Sequence, residues 1–177
     1  VSWKSGTYYG DASGGIFSSH NDLRRCGCSV VKCDELGGLI FACDFPLPGE
    51  IQTVPRGELY CIWFLIEQAE EMSTIYYIGD NQKVCETYKK GPKAGCRSAN
   101  CDLFNRLFLT CISKRIRLYV RRMPAHLHIT DPIKPRPAGV SDTDIYSNKH
   151  ADLFAGYAAK RAQLDSFITD PYLATFN

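Results

Sequence analysis

Four acidic residues stand where apolar runs begin or end, and any fold that gathers them must place like charges side by side. They are Asp11 in Tyr8-Tyr9-Gly10-Asp11-Ala12-Ser13-Gly14-Gly15, Glu58 in Arg56-Gly57-Glu58-Leu59, Asp80 in Ile78-Gly79-Asp80-Asn81, and Asp152 in Asn148-Lys149-His150-Ala151-Asp152. Asp11 and Asp80 each close an apolar or aromatic run and precede small or polar residues, as a side chain at the end of a central strand does. Glu58 follows Pro55 in the first turn of an amphipathic stretch, and Asp152 falls in the opening of the last helical one. Carboxylates gathered in this way repel strongly, and a bound cation is the usual remedy. The chain has 19 Asp and Glu, most of them expected on solvated surface. Position, more than charge, sets these four apart.

The elements around them follow from periodicity and turn residues. Segments 6–11, 26–32 and 39–45 read as strands, with Asp34-Glu35-Leu36-Gly37-Gly38 as a hairpin turn between the second and third. The run Pro46-Leu47-Pro48-Gly49-Glu50 breaks the sheet. A helix is predicted over 55–71, with Leu59, Ile62, Trp63 and Ile66 at helical spacing. Segment 75–79 is a short apolar run, as expected of a strand buried on both faces. Helices are predicted over 81–90, stopped by Gly91-Pro92, and over 100–113, with Leu103, Leu107, Phe108 and Cys111 on one face. Segment 115–122 alternates Arg with Ile, Leu and Val as a strand with one wet face. Segment 127–147 holds Pro132, Pro135 and Pro137 without a clear period and reads as a long loop. The last helix is expected to start near Ser147 and run toward Leu164.

A chain of 177 residues that is 45% hydrophobic can bury one good core and is short for two independent domains. Its 21 Lys and Arg against 19 acids leave a charge of only +2, so no global positive field gathers nucleic acid and any basic surface is local. No signal peptide or apolar span of about 20 residues is apparent, which points to a soluble protein without a membrane partner. The first residue is Val1, which suggests excision from a longer polypeptide. Nine Cys, mostly inside apolar stretches, read as core filler in an intracellular, reducing compartment. Cys26-Gly27-Cys28 with Cys33, or Cys96 with Cys101, lack the Cys-x-x-Cys spacing of a zinc knuckle and are the lesser reading.

Three strands, a helix, a strand, two helices, a strand, a loop and a helix, with Glu58-Leu59, Asp80-Asn81-Gln82, Asn100-Cys101-Asp102-Leu103 and the block 148–152 in this order, resemble the ribonuclease H family over about 6–159. The resemblance implies an α/β chain with a ribonuclease H-like fold, a mixed five-stranded sheet with helices on both faces. It implies one domain over 1–177, with a core at about 6–160, the Pro-rich loop at 127–147 and a tail at 161–177. Asp11, Glu58, Asp80 and Asp152 would be its metal ligands and catalytic acids. Two Mg²⁺ ions, with Mn²⁺ as a substitute, would lie about 3.5 to 4 Å apart across the scissile phosphate of an RNA–DNA hybrid. His126, in Met123-Pro124-Ala125-His126, would match the family's mobile His that assists product departure. Ser13, Arg56 and Gln82 would approach the nucleic acid, and Lys134 and Arg136 in the loop are candidate phosphate contacts.

The chain departs from the family at Val54-Pro55, where the better-known cellular enzymes carry two Asn for the minor groove. It also lacks a long basic insertion after the helix beginning at Asn81, which brings it closer to retroviral and retroelement forms, often joined to a polymerase. Two other functions fit parts of the pattern. One is a non-catalytic ribonuclease H-like module in a larger assembly, and the other is a related metal nuclease or recombinase.

Overall fold

The computed structural model describes residues 3–127 and 136–176. Strands β1 (Gly6–Ser13), β2 (Gly27–Cys33) and β3 (Leu39–Pro46) form an antiparallel meander, followed by helix α1 (Val54–Gln68) and strand β4 (Thr74–Gly79). Helices α2 (Gln82–Lys90), α3 (Pro92–Cys96) and α4 (Cys101–Ser113) precede β5 (Arg117–Arg122), and α5 (Asp142–Ala162) and α6 (Ser166–Ala174) end the chain. The strand order is β3-β2-β1-β4-β5, with β1–β4 and β4–β5 parallel. β1 and β4 are therefore inner strands, which is why Tyr8, Tyr9, Tyr77 and Ile78 are all buried.

One face of the sheet packs against α1 and α4 through Tyr8, Val30, Leu59, Ile62, Leu65, Leu103 and Leu107. The other packs against α5 through Tyr9, Val31, Ile78, Ile145 and Ala151. On that second face α5 lies very close to β2, because its contact positions Ala151, Ala155, Ala158 and Ala159 are small. Gly27 is the matching feature on the strand. A Cβ there would overlap the backbone of Ala155, Ala158 and Ala159. The Ser29 hydroxyl donates to the Ala151 carbonyl at 2.5 Å, fixing how far α5 slides along the sheet.

Several boundaries differ from the sequence reading. α5 begins at Asp142, not near Ser147, because Ser141 and Asp144 form a reciprocal capping box. The Asp144 amide donates to the Ser141 hydroxyl, and the Ser141 amide donates to Asp144 Oδ2. The loop expected over 127–147 is therefore shorter, and Asp152 sits in the middle of a helix, not in its opening. The tail expected over 161–177 holds the end of α5 and a further helix, α6, whose Asp165 side chain caps the Phe167 amide. α1 stops at Gln68, not Glu71, since Ala69 turns extended to bridge Trp3. The short α3 was not expected, and the helix read as starting at Asn81 takes that residue as its N-cap instead.

Gly27→Ala is expected to cost about 3 kcal/mol, because the added methyl must push α5 off β2. Urea denaturation of the two proteins checks this, and an unchanged midpoint would mean that the close approach at Gly27 is not tight.

Candidate active site

The buried end of β1, the start of α1 and the loop after β4 meet at one cleft. Asp11 lies in β1 opposite Ser29 of β2, so the sheet fixes its height. Glu58 is held by the entry of α1, where Thr53 caps the helix by accepting from the Arg56 amide and Pro55 presets the first turn. Asp80 follows Gly79 directly, and Asn81 caps α2 behind it by accepting from the Val84 amide. The Ala12 amide donates to both Asp11 Oδ1, at 2.9 Å, and Glu58 Oε1, at 3.1 Å, locking two carboxylates onto one donor.

Asp11, Glu58 and Asp80 each offer an oxygen within 4.8 Å of the others, and among the described residues they are the one such group of Cys, His, Asp or Glu. Asp152, exposed on α5, lies outside that triad and lines the same cleft of about 500 Å³, as do Ser13, Gln82 and His126. His126 takes a left-handed conformation, φ 57°, between buried Met123 and Leu127, which presents its ring at the rim. Gln82 is partly engaged, donating to Glu86. Arg56 is not free in the cleft: it makes a bidentate pair with Asp102 and a third hydrogen bond to Asn100. Arg136 pairs with Asp142, and Lys134 lies outside the described residues.

Sequence reasoning missed Lys83, which lines the cleft, and the pocket beside it. That neighbouring pocket, about 700 Å³, is lined by Thr53, Lys83, Lys90, Arg97 and Asn100 among others. The three cations are exposed and make no ion pair among the described residues. Their spacing along α2 and the turn after α3 gave the only signal. A more roomy hollow, about 960 Å³, lies away from the acids, under the first turn of α5. Size is a poor guide to a functional site here; the gathered carboxyls mark the better candidate.

Burial and mutual repulsion set the electrostatics. Asp11 is pushed up to about 8, first by loss of water and then by the charges of Asp80 and Asp152, although a hydrogen bond from Glu58 works the other way. Glu58 is held well above the usual carboxylate range by complete burial and by Asp11 and Asp80. Asp80 is also raised, chiefly by burial. Alone, the cluster keeps protons that ordinary acids lose. Three hard oxygen donors at this spacing suit a divalent cation such as Mg²⁺ or Mn²⁺, and the arrangement fits such an ion. The cysteines do not compete. Beneath the acids, the thiols of Cys28 and Cys61 donate to the carbonyls of Gly57 and Asp11, and all nine cysteines are unpaired.

No protein-family model and no curated protein sequence matches the chain. Solved structures do. RNase H1 from the halophilic archaeon Halobacterium salinarum NRC-1 aligns with a TM-score of 0.56 at 15% identity, covering 88% of this chain and 98% of that one. LC11-RNase H1 in complex with an RNA/DNA hybrid aligns with a TM-score of 0.59 at 12% identity, covering 88% and 97%. The foamy viral protease-reverse transcriptase in complex with an RNA/DNA hybrid aligns at 0.63 and 12% identity, covering 89% of this chain and 20% of that one. The protein thus has a ribonuclease H-like α/β fold, its mixed five-stranded sheet flanked by helices. No helix among the described residues is long and apolar enough to cross a membrane.

The raised acids fix the sign of the pH dependence. The unfolded chain releases these protons near pH 4 and the folded chain releases that of Asp11 near pH 8. Without a divalent cation, stability is therefore fullest below about pH 4 for this group and falls as pH rises toward 8. Asp11→Asn should raise Tm at pH 8 in EDTA by about 5 °C and flatten the slope, and Mg²⁺ should raise the parent's Tm more at pH 8 than at pH 5. Differential scanning fluorimetry at both pH values decides it, and a pH-independent Tm in EDTA would refute the coupling.

Proposed function

We propose that this chain is a divalent-cation-dependent endoribonuclease that hydrolyses the RNA strand of RNA–DNA hybrids. The observation that carries this reading is the meeting of Asp11, Glu58 and Asp80, from three separate elements, in a cleft that opens beside an unpaired basic pocket. Asp11, Glu58, Asp80 and Asp152 would hold the ions, which when bound activate water and stabilise charge on the departing 3′ oxygen. The chain's own residues do the rest. Ala12 fixes the relative position of Asp11 and Glu58 through one amide, so the two carboxylates present a preset geometry. Asp152, exposed and borne on a different helix, closes the set from the α5 side. His126, exposed at the rim, would take or give a proton as product leaves.

Lys83, Lys90 and Arg97 form the track for a phosphate backbone, and Ser13 and Gln82 are the polar groups nearest the acids for contacts to the sugar edge. Val54 lines the cleft as an apolar wall, so selection of the hybrid rests on shape and on these neighbours. With a net charge of +2, an attached polymerase module would add affinity that this chain does not supply alone.

The test is cleavage of an end-labelled hybrid beside double-stranded RNA and double-stranded DNA. Cutting is expected only in the RNA strand of the hybrid, only with Mg²⁺ or Mn²⁺, and lost in EDTA. Asp80→Asn should lower the rate by orders of magnitude without unfolding the protein, and His126→Ala by a smaller factor, about ten- to a hundredfold. A protein that binds hybrid but leaves it intact with either ion would instead be a non-catalytic module.

A further inference from the structure

The hollow of about 960 Å³ under the first turn of α5 lies away from the acidic cleft, and two tyrosines stand on its floor. α5 packs on β1, β2 and β3, and among the described residues no helix packs on the matching face of β4 and β5. The parallel register aligns Thr7 of β1, Tyr76 of β4 and Tyr119 of β5 in one row across that face. The two tyrosines stack on each other, ring centroids 5.1 Å apart and planes 17° from parallel, yet remain 48% and 53% exposed. Because the rings stand on the sheet and face each other, each keeps an outer face. That of Tyr76 looks across the small side chain of Thr7 into a space of about 960 Å³, bounded beyond by Ser141 and Asp144 of the α5 start.

The neighbouring rows are cationic on the β5 side. Arg117 lies opposite Thr74 and makes no ion pair or side-chain hydrogen bond among the described residues. Arg121 lies opposite Ile78, its guanidinium oriented by Asp144 and by the Gly139 carbonyl. The acids nearby are largely engaged. Asp144 accepts from Tyr9, Arg121 and the Ser141 amide, and Asp34 accepts from the amides of Leu36 and Gly38. On the opposite rim Glu35 stands with Lys32, so that side has no excess of positive charge, and a polyanion would run along the β5 side.

We infer that this face is a stacking platform for single-stranded nucleic acid: a base seats over Thr7 against Tyr76, and the phosphates follow Arg117, with Arg121, already held by Asp144 and the Gly139 carbonyl, adding only its remaining exposed donors. Exposed aromatic faces beside cations on a sheet bind single strands with little sequence preference, each base having a π-face to offer. A cross-strand tyrosine pair alone would stabilise the sheet, but it would not need the adjoining slot or the unpaired arginine. The choice of nucleic acid over a peptide rests on the proposed nuclease reading and on the two cations that flank the rings.

The experiment measures fluorescence anisotropy of a labelled single-stranded RNA about 12 nucleotides long, in EDTA, against an abasic oligomer of the same charge. Tyr76→Ala and Tyr119→Ala should each weaken RNA binding about tenfold, Tyr76→Phe should bind as the parent does, and the abasic oligomer should bind the parent as weakly as RNA binds Tyr76→Ala. Cleavage of a blunt hybrid by the alanine variants should be unchanged, which shows that they fold. Equal binding of the RNA and abasic oligomers, or RNA affinity untouched by the alanine changes, overturns the platform. So does self-association of the parent that Tyr119→Ala abolishes, seen by light scattering, since the face would then join copies of the chain. Because binding is read in EDTA, loss of the platform with hybrid cleavage intact leaves the nuclease reading standing, and tyrosine-dependent binding without cleavage removes only the latter.

Discussion

Three carboxyl groups held within 4.8 Å of one another, two of them almost wholly out of water, are costly to keep together. The surrounding structure is what keeps them there. β1 must be an inner strand for Asp11 to be buried, and parallel pairing with β4 carries the chain to Asp80 at the matching end of the sheet. The α1 entry, set by Thr53 and Pro55, turns Glu58 inward where Gly57 lets the helix approach Ala12: a Cβ at Gly57 would stand 2.8 Å from that of Ala12. Remove any of these constraints and repulsion would part the acids, because desolvation and like charge act in the same direction.

The protein's own cations do not relieve this strain. Among the described residues the ion pairs are Arg56 with Asp102, Arg121 with Asp144, Arg136 with Asp142 and Arg161 with Asp44. None involves the cleft acids. The charges of His126 and Arg122 oppose the upward shift of Asp80 without cancelling it. A site that serves stability alone would be expected to hold a lysine or arginine among buried carboxylates. Here the positive charge is left to be supplied from outside, by protons or by a cation.

Much of this was legible in the chain because the relevant signals are local. Tyr8-Tyr9-Gly10-Asp11 and Ile78-Gly79-Asp80 announce strand ends, and the spacing of Leu59, Ile62 and Ile66 announces the helix that carries Glu58. The start of α5 was obscured because its signal is polar. Ser141 and Asp144 cap the helix through side chain to backbone hydrogen bonds, while the prolines upstream argue for a loop and Ala151, Ala155 and Ala158 give a weak apolar stripe. Their smallness is meaningful only beside Gly27, a residue more than a hundred positions away. The pairing of Arg56 with Asp102 was hidden for the same reason: each side chain reads as free until the packing of α1 on α4 brings them together.

That pairing shapes how the cleft can meet a polyanion. Arg56 is mostly buried and bidentate, and its hold keeps the Asp102 carboxyl down to about 2, so the pair stays ionised and closed across the working pH range. A phosphate would have to displace a carboxylate already matched to the guanidinium fork. Among the described residues Lys83, Lys90 and Arg97 carry no such partner and stand exposed, the two lysines as mobile point charges and Arg97 as a planar fork. Attraction through them falls with salt and reads no sequence. On the proposed nuclease reading, discrimination among duplexes would therefore be left to the rigid parts of the cleft: the apolar wall at Val54, the Ser13 edge of β1 and the fixed spacing between the acids on the sheet and Asp152 on α5.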